Sequence, residues 1–219
     1  MDSKQKNRLF GFAVALGLVV GLALVGLSLA SVASGGDALA GLSGDQPVDR
    51  RGMGARDAAV QIVVYFDFQC GHCERLHAIE EAELVKRYVA SGKAHLEARP
   101  VPFLGPESQR AAEASLCAAD QGKFWEYRDA LFDTWRQRGP VAYSVAGLRE
   151  VARGVGLDDQ KLGECVAGGQ ARPELQSILD RARAEGVRAV PTLVIDGQSI
   201  QGRLPLERYV QIVEDALAK

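Results

Sequence analysis

Two thiols stand three positions apart in Cys70-Gly71-His72-Cys73. A thiolate is the nucleophile of disulfide chemistry, so a close pair of unequal thiols can pass a disulfide to another protein. If this tetrapeptide opens a helix, both sulfurs fall in its first turn. There the unpaired backbone N–H groups and the helix dipole favour a thiolate on Cys70. His72, between the two cysteines, can add a hydrogen bond or a positive charge to the same sulfur. Cys73, one turn on, can attack a mixed disulfide formed at Cys70 and release the product.

The same spacing is also half of a zinc or copper site, using Cys70, Cys73 and His72. Such a site needs further ligands. Cys117 and Cys165 are distant and single, and the remaining histidines are His77 and His95. A lone histidine is usually a surface or hydrogen-bonded residue. The surrounding strand and helix favour the redox reading and call for no metal or cofactor.

Those surroundings are legible. Val60-Gln-Ile-Val-Val-Tyr-Phe66 is a β-branched and aromatic run, as in a buried strand. Cys70 to Val89 reads as a helix with Leu76, Ile79, Leu84, Val85 and Tyr88 inward, ended by Gly92. His95 to Val101 reads as a strand running into Pro100 and Pro102. From Ser108 to Glu185 the patterns are helical throughout. Asp158 is a carboxylate cap, and Pro173 and Gly186 bracket the last helix of the block. Thr192–Ile195 returns to strand, Asp196-Gly197 makes a hairpin turn, and an amphipathic helix closes the chain over 205–217.

At this point the chain resembles a known family. Phe66-Asp-Phe-Gln-Cys-Gly-His-Cys73, QGKFWEYRDALF at 121–132 and Gly186-Val-Arg-Ala-Val-Pro-Thr-Leu-Val194 resemble the DsbA-like thiol–disulfide oxidoreductases of the thioredoxin superfamily. The resemblance covers essentially all of 57–219. It implies an α/β thioredoxin fold with an inserted helical domain at about 105–186, beside a peptide groove. It implies that Pro191 is a cis-proline facing the sulfurs, and that Gly71, Val190 and Thr192 lie where substrate binds. The residues alone leave an ordinary trans-proline open, since most X-Pro bonds are trans. Phe124 and Trp135 read as core by their spacing, with Trp125 open. Relatives with a second disulfide suggest pairing of Cys117 with Cys165; two buried free thiols are the other reading. One departure stands out. Many relatives carry a buried Glu or Asp six residues before the first cysteine, where this chain has Val64. Proton transfer to Cys73 then falls to water, to Asp67 or to Glu74, and Asp67 also reads as a residue that shapes the loop.

Residues 9–33 contain no charge, and as a helix would reach ~37 Å, enough to cross a ~30 Å hydrocarbon core. Lys4, Lys6 and Arg8 precede the run, with Asp2 opposing them. The positive-inside rule puts residues 1–8 in the cytoplasm and the rest outside. The expected arrangement is one N-terminal transmembrane signal anchor (9–33), a flexible linker (34–56) and an exported domain (57–219). Cleavage after Ala38-Leu39-Ala40 is the competing reading, although the apolar run exceeds a typical signal h-region.

The whole-chain averages fit this division. With 26 Lys+Arg against 28 Asp+Glu in 219 residues, no basic excess exists to neutralise phosphates, which argues against a nucleic-acid partner. The expected function is therefore a membrane-tethered oxidase. It would accept electrons from paired thiols of exported proteins and be re-oxidised by a DsbB- or VKOR-type membrane partner. A reductase or isomerase is the same-class alternative, and a copper or zinc metallochaperone the different-class one.

Overall fold

The computed structural model describes residues 46–219. The expected membrane helix and most of the expected linker lie outside the described residues. Among those described, no helix is long and apolar enough to cross a membrane.

Five strands form one sheet in the order β1-β3-β2-β4-β5. They are β1 (Gly52–Met53), β2 (Val60–Phe66), β3 (Ala94–Pro100), β4 (Thr192–Ile195) and β5 (Gln198–Gln201). Strand β2 runs parallel to β3, with Phe66 opposite Pro100. It runs antiparallel to β4, with Tyr65 opposite Thr192. The apolar run of 60–66 thus becomes a central strand, covered on both faces: Val60, Ile62, Val64, Tyr65 and Phe66 are all buried.

The helix after β2, α1, begins at Gly71–Leu76 and runs to Val89 through two wider π-turns, His77–Glu81 and Val85–Val89. The first π-turn shifts the helix phase. It turns His77, Glu80 and Glu81 inward and leaves Ile79 49% exposed. α-Helical spacing alone would turn Ile79 toward the core, and the wider π-turn is the reason it does not face it.

Between β3 and β4 lie five α-helices and a short 3₁₀ turn, Gly139–Tyr143. The helices are α2 (Pro106–Asp120), α3 (Phe124–Arg138), α4 (Val145–Gly154), α5 (Asp159–Ala167) and α6 (Arg172–Ala184). This is the helical insertion into a thioredoxin-like α/β fold. Cys117 on α2 and Cys165 on α5 form a disulfide that closes the block on itself. The last helix, α7 (Leu206–Leu217), packs Tyr209 and Val213 inward.

The expected linker boundary needs correction. Met53 is fully buried in β1, opposite Leu96 of β3. Arg51 donates to the Glu97 carboxylate, the Ala98 carbonyl and the Glu174 carboxylate. Residues 47–56 therefore belong to the domain. A two-residue edge strand carries no periodicity, and partners as distant as Glu174 leave no local trace in the sequence.

Candidate active site

Cys70 is the N-cap of α1, in extended backbone geometry, just after the turn that leaves β2. Its Sγ accepts from the Cys73 backbone N–H at 3.3 Å and lies 3.6 Å from the Val190 carbonyl oxygen. Both sulfurs are thiols here, and they differ in exposure: 8% for Cys70 and 1% for Cys73. A hydrogen bond from the Cys73 thiol, helped by the backbone N–H groups of Cys73 and His72, lowers the Cys70 thiol to about 7 against the opposing effect of burial. Burial drives the Cys73 thiol far above the usual range, and the adjoining Cys70 adds to the effect. At neutral pH the pair thus holds one partly ionised, slightly exposed sulfur and one protonated sulfur beneath it.

His72 contributes differently from what its type suggested. Its backbone N–H faces Cys70, but its ring is exposed and Nδ1 accepts from Arg75 at 3.1 Å. The expected imidazole support of the thiolate is replaced by main-chain support from the same residue.

Val190-Pro191 is a cis peptide, placed immediately before β4. Because β4 pairs with β2, the carbonyl of Val190 arrives beside a cysteine 120 positions earlier. Thr192 is fully buried and its hydroxyl donates to the Ala189 carbonyl at 2.7 Å. It therefore shapes the proline turn and is withdrawn from any surface that a substrate would touch. Gly71 is half-buried at the first helical position. A Cβ built there would meet Trp135 at 3.8 Å, so Trp135, not Trp125, borders the site. Trp125 is buried beside Phe124, with ring centroids 5.2 Å apart.

The two carboxylates considered for proton transfer are occupied elsewhere. Asp67 is 1% exposed and accepts from the backbone N–H groups of Gln69 and Leu104 and from the Ser108 hydroxyl. It locks the active-site loop to α2, which is the loop-shaping role. Glu74 pairs with Arg136 at 3.4 Å on the outer side of the helix. The insertion holds the loop a second time, through the Tyr143 hydroxyl donating to the Phe68 carbonyl at 3.0 Å.

Sequence reasoning missed a buried ionic cluster next to Cys73. Arg128 on α3 makes a two-pronged pair with Glu81, at 2.5 and 2.8 Å, and both residues are essentially inaccessible. His77 joins them, with Nε2 3.1 Å from Asp129 and Nδ1 3.7 Å from Glu81. The available signal was spacing: Cys73, His77 and Glu81 recur every four residues, one face of a helix.

The disulfide takes Cys117 and Cys165 out of consideration as metal ligands. Among the described residues no group of three or more His, Cys, Asp or Glu is arranged to hold a metal ion.

A thioredoxin family model matches residues 46–215. The chain belongs to this thioredoxin family. Its relatives are of two kinds. A Na(+)/H(+) antiporter NhaA 3 of Salinispora tropica is 31% identical over 169 residues, covering 75% of this chain but 24% of the antiporter. The chain thus spans about a quarter of the length of that relative. A probable disulfide bond formation protein D of Bacillus anthracis is 22% identical over 152 residues, covering 68% of this chain and 70% of that protein. Among solved structures, oxidised BdbD from Bacillus subtilis superposes with a TM-score of 0.72 at 19% identity, covering 81% of this chain and 98% of that one. At that identity the likeness shows the fold alone, a thioredoxin domain with a helical insertion.

Proposed function

We propose that this thioredoxin-family chain is an extracytoplasmic protein-disulfide oxidoreductase, tethered to the membrane by residues 9–33, that introduces disulfides into exported proteins. The observation that carries the reading is the asymmetry of the pair: Cys70 lowered to about 7 and nearer solvent, Cys73 buried and pushed up. That asymmetry supports thiol–disulfide exchange through Cys70; thioredoxin's nucleophilic thiol also lies at about 7, so the oxidising direction rests on the Bacillus anthracis relative.

The reaction follows from that geometry. A substrate thiolate attacks Cys70 Sγ, the Cys70–Cys73 bond breaks, and its electron pair leaves on Cys73. A second substrate thiolate attacks the substrate sulfur of the mixed disulfide and releases Cys70 as a thiolate. The substrate is oxidised by two electrons and the protein is reduced by two. A DsbB- or VKOR-type membrane partner would return them to quinone. The Val190 carbonyl, beside Cys70 Sγ, offers main-chain pairing to an extended substrate segment, in the manner of an added strand. Gly71 and Trp135 would border the same segment.

The Bacillus anthracis relative, by name a disulfide bond formation protein, supports the oxidising direction. Antiporter relatives are membrane proteins carrying a like domain, which supports tethering.

The test is the reduction potential of the Cys70–Cys73 couple against glutathione. A value nearer −120 mV supports an oxidase; one near thioredoxin's, about −270 mV, would reverse the direction to a reductase.

A further inference from the structure

Cys73 must gain a proton when the disulfide opens and lose one when it closes. Its surroundings offer few groups for that exchange. Val64 is a buried apolar residue, Asp67 is held by three donors, and Glu74 pairs with Arg136. What the core does contain is the Arg128–Glu81–His77–Asp129 cluster. Burying so many ionisable groups is costly, and an apolar cluster of similar volume would serve stability as well or better. An ionic cluster kept beside a redox thiol therefore asks for a chemical reason.

The placement supplies one. His77 is 5% exposed and lies one helical turn after Cys73; its backbone N–H donates to the Cys73 carbonyl. Residues four apart on a helix have Cβ atoms about 5–6 Å apart, and helical side chains lean toward the N-terminus. Glu81 accordingly reaches back to His77, and His77 leans back toward Cys73. The ring is fixed by stacking on Phe132, with centroids 5.1 Å apart. From its own helix His77 faces Glu81, with Cys73 one turn earlier on the same side; from α3 it faces Asp129 and Arg128. Arg128, sandwiched near Phe66 and Trp125, interacts electrostatically with Cys73 as well.

We propose that His77 is the proton store for Cys73, oriented by Asp129 and Glu81, with Arg128 as the fixed counter-charge. The proposal rests on Cys70–Cys73 being the redox pair. When a substrate thiolate opens the disulfide, the electron pair of the S–S bond stays on Cys73 Sγ. The imidazolium of His77 then gives its proton to that sulfur, directly or through one water, and becomes neutral. On closure the Cys73 thiol returns the proton to His77 and its sulfur displaces the leaving thiolate at Cys70. Burial and Arg128 oppose protonation of His77, but the nearby Asp129 and Glu81 carboxylates outweigh them and hold the imidazole above the usual histidine range.

The experiment uses the full chain in detergent. The reduced protein is mixed with saturating oxidised glutathione, and the first-order closure by Cys73 is followed from pH 5 to 9. The unmodified chain should show a rise in rate centred above the usual histidine range. His77→Gln should lose that rise and slow closure by roughly 100-fold at pH 7, the scale of general acid–base catalysis. Asp129→Asn should keep the rise and move its midpoint down, which a merely structural role would not do. A His77→Gln chain with the unmodified rate and profile would overturn the proposal. If that variant fails to fold, an unmoved midpoint in Asp129→Asn overturns it instead. Failure of the unmodified, folded chain to close any disulfide would sink the assignment of the redox pair itself, and this proposal with it.

Discussion

The backbone N–H of Cys73 donates to Cys70 Sγ at 3.3 Å, while the Cys73 sulfur lies buried beneath. One helical turn thus makes two chemically equal thiols unequal. The largest influence lowering Cys70 is the hydrogen bond from the Cys73 thiol. Thiolate absorbance should therefore titrate with a midpoint near 7 from Cys70, with Cys73 silent through pH 9. Cys73→Ala should move the Cys70 midpoint upward, because its strongest donor is gone. A midpoint unchanged by that substitution would show that the backbone groups alone suffice.

The same shift links redox state to pH-dependent stability. The Cys70 thiol lies at about 7 folded and near 9.0 otherwise. The folded reduced chain therefore gains stability as pH rises from 7 to 9, and loses that gain as pH falls through 7. Above 9 the raised Cys73 thiol works the other way. The oxidised chain has neither titration. Paired urea melts should show the reduced form improving relative to the oxidised form between pH 6 and 9.

Gly71 occupies the first helical position, and the residue before it, Cys70, is extended (φ −87°, ψ 110°). Both conditions suit proline, which needs no N–H there and prefers an extended predecessor. A Cβ at Gly71 meets only ordinary contacts, 3.8 Å to Trp135 and 3.9 Å to Arg75. Gly71→Pro should be tolerated and raise stability by about 0.4–1 kcal/mol through the unfolded chain. Thermal melting of the oxidised forms checks this; a fall of several degrees would mean that Trp135 does not leave room.

Cys117 and Cys165 close a loop of 48 residues within the helical block. The chain-entropy argument assigns that closure about 4 kcal/mol. Replacing both by alanine should lower the denaturation midpoint clearly yet leave the Cys70–Cys73 potential unchanged. Peptide mapping of the unreduced chain should find 117 linked to 165 and neither alkylated.

Arg128 and Glu81 are buried together, so each depends on the other. Burial disfavours the Glu81 carboxylate, but Arg128 outweighs this and holds it at about 2. Its contribution is present above pH 4.5 and is lost as pH falls toward 2. Arg128→Met should cost about 3–5 kcal/mol by stranding Glu81, and adding Glu81→Leu should recover much of that loss. Urea melts of the single and double variants measure the difference.

Much of this protein was legible from its residues. The paired thiols, the buried strand before them, the helical block and the Val-Pro-Thr turn are local patterns, and local patterns follow from backbone geometry and hydrophobic spacing. So is the pairing of two cysteines at a strand-to-helix junction, which favours redox chemistry over a metal site. Other features depend on atoms far apart in sequence. The edge strand at Gly52–Met53 pairs with β3, and Arg51 beside it is held by Glu97 and Glu174. Ile79 turns outward because a π-turn interrupts the α-helical phase. Trp135 reaches Gly71 while Trp125 stays inside, a choice made by how α3 packs and not by spacing along it. His77 looked like a lone histidine; only the approach of α3 to α1 sets Asp129 and Arg128 against it. The sequence alone set two thiols at a strand-to-helix junction, from which sulfur chemistry at Cys70 is the expectation. The tertiary structure decided which charges surround the second sulfur, because burial and the electrostatics of distant side chains set the thiol's proton affinity.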